Sequence, residues 1–196
     1  FPGFVNADLH TRRSIFDSLH PLIKLISSRI SGTSSTNSSD SFWGVDGRRP
    51  LPANSNIFDG IFTEHTLEHL KDRHVLNLLC EFYRILKPGG RIRICLPDCR
   101  KYVDYYNGTS EIQDHPLGFK TWPTGAEAIR GLTQYIGHIS TWDAELMSRY
   151  LEMAGFIDVE EFHFGKGKDS AIIKDHPDRR LRSFYIEAQK CDRIRE

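Results

Sequence analysis

Apolar residues change their spacing twice between positions 58 and 97, and these changes predict a strand, a helix and a second strand. Phe58–Phe62 is a short apolar run. From Thr66 to Leu86 apolar residues recur every three or four positions with charged residues between them, as in an amphipathic helix. Lys87–Gly90 ends the helix, because proline cannot continue it and glycine accepts a positive φ. Arg91–Leu96 then alternates as a strand does.

This order of elements is a βαβ unit, whose strands are parallel and joined by a right-handed crossover. It predicts the centre of an open α/β sheet. Farther along, Thr141–Ala154 has helical spacing, with Thr141 as a predicted N-cap and Gly155 after the end. Ile157–Phe164 and Ser183–Gln189 alternate as strands, and the polar segment Gly165–Arg182 between them is predicted to be mobile.

The chain before residue 58 has a less regular pattern. Phe4–Leu9 and Phe42–Asp46 are predicted as short strands. Ile15–Ile30 has apolar residues at helical spacing, interrupted by Pro21, and predicts a broken helix that lies on the sheet. Residues 31–41, SGTSSTNSSDS, contain few apolar side chains and predict a flexible loop.

Composition and charge narrow the class of protein. A chain of 196 residues with 39% apolar content predicts one domain with a hydrophobic core. Lysine plus arginine and aspartate plus glutamate both number 26, so the basic surface of a dedicated nucleic-acid binder is not expected. No apolar run approaches the ~20 residues that span a bilayer. No CxxC pair occurs, and Cys80 and Cys95 are predicted to lie in the core. The predicted location is cytoplasmic, without a membrane partner.

Two segments of the central unit carry a resemblance to a known family. FDGIFTEHTLEHL followed by LLCEFYRILKPGGRIRICLPD resembles the fourth-strand to fifth-strand segment of the class I S-adenosylmethionine-dependent methyltransferases, of the methyltransferase type 11 kind. FPGFVNADLH resembles the family's second strand and VDGRRPLP the end of its third. WDAELMSRYLEMAGFIDVEEFHFG and RSFYIEAQK resemble its last helix and last two strands.

The resemblance implies an α/β fold with a Rossmann-like, doubly wound and mostly parallel sheet and an antiparallel C-terminal strand, in a single domain over residues 1–196. It also implies that S-adenosylmethionine is the cofactor and methyl donor. The family's first strand ends in a glycine-rich loop that holds the amino-acid end of the cofactor, and this sequence has no such loop. The fold is therefore predicted without the family's first strand. We favour a fragment whose first strand lies upstream, and the alternative is a divergent member that has lost part of its cofactor site.

The resemblance assigns roles to residues at the ends of the predicted strands. Asp8 matches the residue that binds the ribose hydroxyls of the cofactor, and Asp46 matches the carboxylate that contacts the adenine amino group. From the residues alone, a turn or helix-cap aspartate is the preferred explanation of Asp8, and a turn aspartate beside Gly47 explains Asp46 equally well. The candidate cofactor-binding residues are Asp8, Leu9, Asp46, Gly47, Thr63 and Glu64.

His65 is the candidate catalytic residue. Methyl transfer from a sulfonium is an in-line displacement, so the protein mainly aligns the reactants and excludes water. A base is needed only where the acceptor must lose a proton, and a histidine with an unperturbed pKa of about 6.5 suits that role.

The segment from His65 to His69 also matches the HxxEH signature of inverted zincin metallopeptidases, in which two histidines one helical turn apart bind zinc. Glu145 is then a candidate third ligand. A milder alternative is a divalent ion inside a methyltransferase, since some ubiquinone-pathway and small-RNA O-methyltransferases have a similar ExxEH. The interpretation ranked first is that Glu68 caps or pairs locally while His69 packs at the helix edge, and no metal is predicted.

Residues 98–140 have no sustained period and are rich in tyrosine, tryptophan and histidine. The resemblance implies a lid-like insertion that covers the acceptor, and the same side chains equally suit a small satellite core. The predicted function is methyl transfer to a small-molecule or glycan acceptor. A non-catalytic Rossmann-like binding module is the alternative, and the metallopeptidase is a remote one.

Overall fold

The computed structural model describes residues 48–110, 122–134 and 137–192, together with three earlier strands at residues 4–9, 22–26 and 41–45. One sheet contains seven strands, which are β1 Phe4–Leu9, β2 Leu22–Ile26, β3 Ser41–Val45, β4 Phe58–Glu64, β5 Leu86–Pro97, β6 Ile157–Phe162 and β7 Ser183–Gln189. The described residues also form four α-helices, which are α1 Asp72–Ile85, α2 Cys99–Tyr106, α3 Gly125–Gln134 and α4 Ala144–Met153.

The predicted βαβ unit is confirmed at the centre of the sheet. β4 and β5 are parallel, with Glu64 opposite Cys95, and α1 connects them. The helix begins later than predicted, because Leu67–His69 forms a 3₁₀ turn and Leu70 is extended. Residues three apart lie above one another in a 3₁₀ turn, and Leu67 and Leu70 are both buried.

The order of strands across the sheet is β3-β1-β2-β4-β5-β7-β6. β2 is antiparallel to both of its neighbours, and β7 is antiparallel to β5 and to β6. The other five strands therefore share one direction. This mixed open sheet confirms the α/β fold and its antiparallel C-terminal strand.

The helix predicted over Ile15–Ile30 is wrong at Leu22–Ile26, which is strand β2. A short apolar run such as LIKLI has the same pattern in a buried strand as in a helix, so its spacing cannot decide between them. In the Rossmann strand order 3-2-1-4-5 the first strand lies between the second and the fourth. β2 occupies that place in this sheet, with the opposite direction.

The main core lies between the sheet and two helices. α1 contributes Leu78, Leu79 and Phe82 and α4 contributes Met147 and Leu151, all fully buried in one cluster with residues of β4, β5 and β7. The N-cap of α4 is Asp143, whose carboxylate accepts a hydrogen bond from the Leu146 N–H at 2.8 Å, and not Thr141 as predicted. Threonine and aspartate are both common N-cap residues, so the sequence pattern alone does not choose between Thr141 and Asp143.

A second, smaller cluster joins α2 and α3. It consists of the buried residues Tyr102, Trp122, Ala128 and Leu132. The described part of residues 98–140 thus contains the satellite core that was one of the two interpretations of this segment. The flexible loop predicted at residues 31–41 lies outside the described residues except for Ser41, the first residue of β3.

The segment Gly165–Arg182 is held against the sheet, contrary to the mobility predicted for it. Asp175 accepts two hydrogen bonds from the Arg93 guanidinium, at 2.7 and 2.6 Å, and Glu187 accepts a third at 2.8 Å. All three side chains are at most 1% exposed. The polar segment is therefore anchored through Asp175 to charged residues of β5 and β7. The sequence of the segment does not reveal these partners, because they lie elsewhere in the chain. None of the helices in the described part of the chain has the length and apolar content of a membrane span.

Candidate functional site

The carboxyl ends of β1, β3, β4 and β5 lie at one edge of the sheet, where open α/β sheets bind their ligands. Leu22, the first residue of β2, lies opposite Asp8 on one side and Glu64 on the other. Asp8 and Glu64 are therefore two strand spacings apart, about 10 Å. Leu9 lies opposite Val45, the last residue of β3. The fold thus brings the β1 and β4 candidates to one edge, while Asp46 and Gly47 lie outside the described residues.

The two candidates at the end of β4 differ in their surroundings. Thr63 is fully buried, and its hydroxyl has no hydrogen-bond partner within the described ranges. Glu64 accepts a hydrogen bond from the His176 N–H at 3.1 Å. Burial raises the pKa of Glu64, an effect that the His176 N–H and the charge of Arg179 oppose. Glu64 is thus a hydrogen-bonded carboxylate at the site, and Thr63 is an interior residue of the sheet.

The sheet edge fits one end of an S-adenosylmethionine molecule better than the other. Acidic residues at the ends of β1 and β4 are the acceptors that ribose hydroxyls need. Between β1 and β4, the residue of β2 at this edge is Leu22, the first of the strand. A first strand parallel to its neighbours would have its last residue, and the loop that follows it, at this edge. The fit is therefore to the nucleoside end, and the described residues at this edge contain no glycine-rich loop for the amino-acid end.

His65 has a left-handed backbone, with φ of 47°, directly after β4. Its N–H donates to the Cys95 carbonyl at 2.9 Å, which extends the pairing of β4 with β5. Its Nε2 lies 2.8 Å from the Ser183 hydroxyl, and its Nδ1 lies 3.6 Å from Oε1 of Glu68. Burial, reinforced by the charge of Arg179, lowers the pKa of His65 well below its usual value. The imidazole is therefore neutral at pH 7, and its pKa is not near 6.5 as the sequence suggested.

Glu68 is buried at the centre of three histidines. Its Oε1 lies 3.6 Å from Nδ1 of His65, 4.0 Å from Nε2 of His69 and 3.9 Å from Nε2 of His138. Neither carboxylate oxygen has a hydrogen-bond partner in the part of the chain that the structure describes. Burial raises the pKa of Glu68 to about 8. The local pairing predicted for Glu68 is present, with His65 and His69. The 3₁₀ turn also places the side chain in the interior, next to the distant His138.

The second nitrogen of two of these rings is held by the backbone. Nδ1 of His69 lies 3.2 Å from the Gly137 carbonyl, and Nδ1 of His138 lies 2.6 Å from the Leu132 carbonyl. A carbonyl can only accept a hydrogen bond, so Nδ1 carries the hydrogen in both neutral rings. Each Nε2 then carries a lone pair and can act as an acceptor or a metal ligand. The ring centroids of His69 and His138 are 5.1 Å apart, and both Nε2 atoms lie near Oε1 of Glu68.

Two hydrogen bonds position His138 beside the 3₁₀ turn. The N–H groups of Ile139 and Ser140 donate to the Glu68 carbonyl at 2.8 and 3.1 Å. His138 and Ser183 are functional candidates that sequence reasoning missed. Neither lies near His65 in the chain, and no local motif marks them. The histidine content of residues 98–140 was the one available signal for His138.

The HxxEH arrangement of a metallopeptidase does not form. His65 precedes the 3₁₀ turn with a left-handed backbone, so His65 and His69 are not one α-helical turn apart. Glu145, the candidate third ligand, lies on α4 with a side chain 77% exposed, 3.5 Å from Arg100. The physical reason is that α1 begins only at Asp72.

A pocket of about 480 Å³ adjoins the His65 side chain through Ser183. Its lining includes Lys101, Phe164, Arg180, Ser183 and Tyr185. Lys101 donates from Nζ to the Ser183 carbonyl at 2.5 Å. Aromatic faces with two cations and the carboxylate of Glu161 suit a ligand that has a flat or apolar part and polar groups.

An open α/β sheet with acidic residues and a buried histidine at its carboxyl edge is the arrangement of a nucleotide-type cofactor domain. The model of the family described as methyltransferase domain matches residues 15–161, which are 147 of the 196 residues. The chain belongs to this methyltransferase family. Its membership of the class I S-adenosylmethionine-dependent methyltransferases, predicted from the central βαβ unit, is confirmed, and S-adenosylmethionine is the cofactor of this class.

Solved structures share the fold at low identity. An S-adenosylmethionine-dependent methyltransferase from Archaeoglobus fulgidus is 17% identical with a TM-score of 0.50, over 79% of this chain and 70% of that one. One from Thermotoga maritima is 18% identical with a TM-score of 0.48, over 76% and 63%. Human N-acetylserotonin methyltransferase, solved with its cofactor, is 19% identical with a TM-score of 0.43, over 80% and 35%. This chain thus spans less than two thirds of the length of the last two. No curated protein matches it.

Proposed function

We propose that this chain forms the catalytic part of an S-adenosylmethionine-dependent methyltransferase that acts on a small-molecule or glycan acceptor. The observation that carries the proposal is the strand register. Leu22 lies opposite both Asp8 and Glu64, so these two acidic residues lie at the same edge of the sheet. The family match over residues 15–161 supports the reaction class.

The cofactor site is proposed at the carboxyl ends of β1, β3 and β4. Asp8, with Leu9, would bind the ribose hydroxyls, and Asp46, with Gly47, would face the adenine. Glu64, the last residue of β4, would border the ribose and the start of the methionine portion, while Thr63 lies in the interior of the sheet. When bound, the cofactor supplies an electrophilic methyl group, and the residues of this chain align the acceptor with it and exclude water.

The acceptor is proposed to occupy the pocket beside Ser183. Its volume of about 480 Å³ falls in the ~300–1,000 Å³ range of small-ligand sites, which supports a small molecule or a single sugar unit. Ser183 lines this pocket, and its hydroxyl lies 2.8 Å from Nε2 of His65. A hydroxyl both donates and accepts, so Ser183 can link the acceptor to His65, which is neutral. The lowered pKa of His65 makes it a weaker base than a free imidazole, suited to orienting the acceptor and to receiving a proton only as the methyl group is transferred.

Calorimetric titration with S-adenosylhomocysteine tests the cofactor site. Micromolar affinity, about −8 kcal/mol, is expected for a working pocket. Asp8→Ala and Asp46→Ala should each weaken binding about tenfold or more, since each removes a charged hydrogen-bond partner. Asp59→Ala is the matched control, because Asp59 lies near the amino end of β4, at the opposite edge, and pairs with Lys87.

Unchanged affinity in Asp8→Ala or Asp46→Ala would refute that residue's role. A parent chain that does not bind S-adenosylhomocysteine would contradict the proposed site. It would favour the second candidate, a Rossmann-like binding module without catalysis.

A further inference from the structure

The carboxylate of Glu68 is buried without a hydrogen-bond donor among the described residues. A carboxylate that is 1% exposed should receive hydrogen bonds, yet both of its oxygens lack a partner in the described ranges. The nearest polar atoms include the Nε2 lone pairs of His69 and His138, at 4.0 and 3.9 Å from Oε1. Lone pairs that converge on a carboxylate repel it unless a positive charge lies among them.

We propose that Glu68, His69 and His138 bind a divalent transition-metal ion. Their three ligand atoms lie within 4.8 Å of one another. Ligands about 2.0–2.2 Å from a tetrahedral metal are about 3.4 Å apart, so the ligand atoms need to close by little more than 1 Å. The site is built from a 3₁₀ turn and the segment that follows α3, which two backbone hydrogen bonds hold together.

The rings are prepared for this role by their other nitrogens. A histidine that binds a metal almost always donates its second N–H to a carbonyl or carboxylate, which fixes the tautomer and the ring orientation. His69 and His138 do so through Nδ1, to the carbonyls of Gly137 and Leu132. Histidines that merely filled the interior would have no reason to share this arrangement and to aim both Nε2 atoms at one acid.

The donor set indicates the class of ion. Two imidazoles and one carboxylate suit Zn²⁺, Mn²⁺, Fe²⁺ or Co²⁺ rather than Ca²⁺ or Mg²⁺, which prefer oxygen ligands. Three protein ligands leave at least one position open for water or another ligand. His65 lies on this side, with Nδ1 3.6 Å from Oε1 of Glu68. Metal binding itself does not depend on the proposed function.

One other explanation is a proton in place of the metal. Burial favours the protonated form of Glu68 and raises its pKa to about 8, while the positive charge of Arg179 opposes this. A protonated Glu68 still leaves one acceptor oxygen and one Nε2 without a donor. A metal ion satisfies all three groups at once, and the two explanations differ in how the protein responds to added metal.

The test measures metal binding directly. The chain is stripped with a chelator, equilibrated with Zn²⁺, Mn²⁺ or Co²⁺ and desalted, and bound metal is measured by mass spectrometry alongside the thermal midpoint. We expect about one ion per chain and a raised midpoint, since a ligand that binds only the folded state stabilises it. Glu68→Gln, which is nearly isosteric, should weaken binding about tenfold or more and remove the shift, since even partners outside the ligand shell contribute about tenfold.

Two matched controls separate metal loss from general damage. Glu145→Gln removes an exposed carboxylate on α4, and His74→Ala removes a histidine of α1 outside the cluster. Both should keep the metal and the shift, whereas His138→Gln, a second variant of the site, should lose them. No bound metal in the parent chain, or equal metal affinity in Glu68→Gln and Glu145→Gln, would overturn the proposal. Because the readout is metal content, S-adenosylhomocysteine titration of the metal-free chain tests the proposed function separately.

Discussion

His65 and Ser183 are 118 positions apart in the chain and 2.8 Å apart at their polar atoms. The sequence identifies His65, because a polar residue directly after a central strand lies at the edge where ligands bind. It gives no reason to single out Ser183, the first residue of a strand. The hydrogen bond exists because β7 is antiparallel to β5 and so begins where β4 and β5 end.

Replacement of His65 by alanine should lower kcat without much change in cofactor affinity. His65 is proposed to receive a proton by way of Ser183, and loss of a general base typically costs about 10²-fold or more. Within the described residues its polar contacts include Ser183 and Glu68. The measurements are kcat on an accepted substrate and the Kd of S-adenosylhomocysteine.

His74→Ala is the control for that experiment, since His74 lies on α1 and takes no part in the site. A His65→Ala enzyme with the parent's kcat would remove His65 as base and as positioning residue. A large loss of cofactor affinity would instead make it a cofactor-binding residue.

Cysteine burial shows the limit of residue-level prediction. Cys80 and Cys95 were both expected in the core, and Cys95 is buried while Cys80 is exposed. Cys95 lies in the second half of β5, where every position from Ile92 to Pro97 is buried. Cys80 lies on an amphipathic helix, where the neighbouring Leu79 occupies the apolar stripe, and a small apolar residue is tolerated on the other face.

At the scale of elements, the βαβ unit was predicted from spacing because its pattern extends over some forty residues. β2 was not, because five residues carry too little periodicity to separate a strand from a helix. Its place in the sheet depends on pairing with β1, which precedes it, and with β4, which lies much farther along the chain.

The direction of β2 can be tested with engineered disulfides. In the antiparallel register Ile26 lies opposite Gly60, so Ile26→Cys with Gly60→Cys should form a disulfide under mild oxidation. Opposite residues in an antiparallel pair are about 4.5–5.5 Å apart at Cα, within the range that a disulfide spans. Peptide mapping without reduction detects the bond.

Leu22→Cys with Gly60→Cys is the matched control and should not form a bond. Leu22 lies four residues along β2, about 13 Å away. A parallel β2 would bring Leu22 and not Ile26 toward the beginning of β4, so the opposite result in the two pairs would show that β2 has the other direction.

At the scale of the whole molecule, the buried cluster of Arg93, Asp175 and Glu187 joins the sheet to the long segment before β7. Asp175 also accepts a hydrogen bond from the Gly165 N–H at 2.7 Å, and Glu187 accepts one from the Lys168 N–H at 2.9 Å. The same segment carries Arg179 and Arg180, which face the candidate site and the pocket. Loss of the cluster should therefore affect stability and the shape of the pocket together.

Arg93→Met should lower the free energy of unfolding by about 3–5 kcal/mol, because it leaves two buried carboxylates without their cation. Urea unfolding followed by circular dichroism measures the change. Arg100→Met is the control, since Arg100 is exposed and only 3.5 Å from an exposed Glu145, a kind of pair that contributes about 0–1 kcal/mol. Equal effects of the two substitutions would show that the cluster contributes no special stability.

The sequence by itself determined the α/β class, the central βαβ unit, the antiparallel end of the sheet and the importance of the turn after β4. The first two follow from periodicity and turn chemistry, which act over a few residues. The antiparallel end was implied by the family resemblance, and the importance of the turn follows from its place after a central strand. The tertiary structure alone decided that Leu22–Ile26 joins the sheet, that Glu68 is buried and that His138 and Ser183 reach the site. Each of those results depends on contacts between residues far apart in sequence, where burial and strand pairing outweigh local preference.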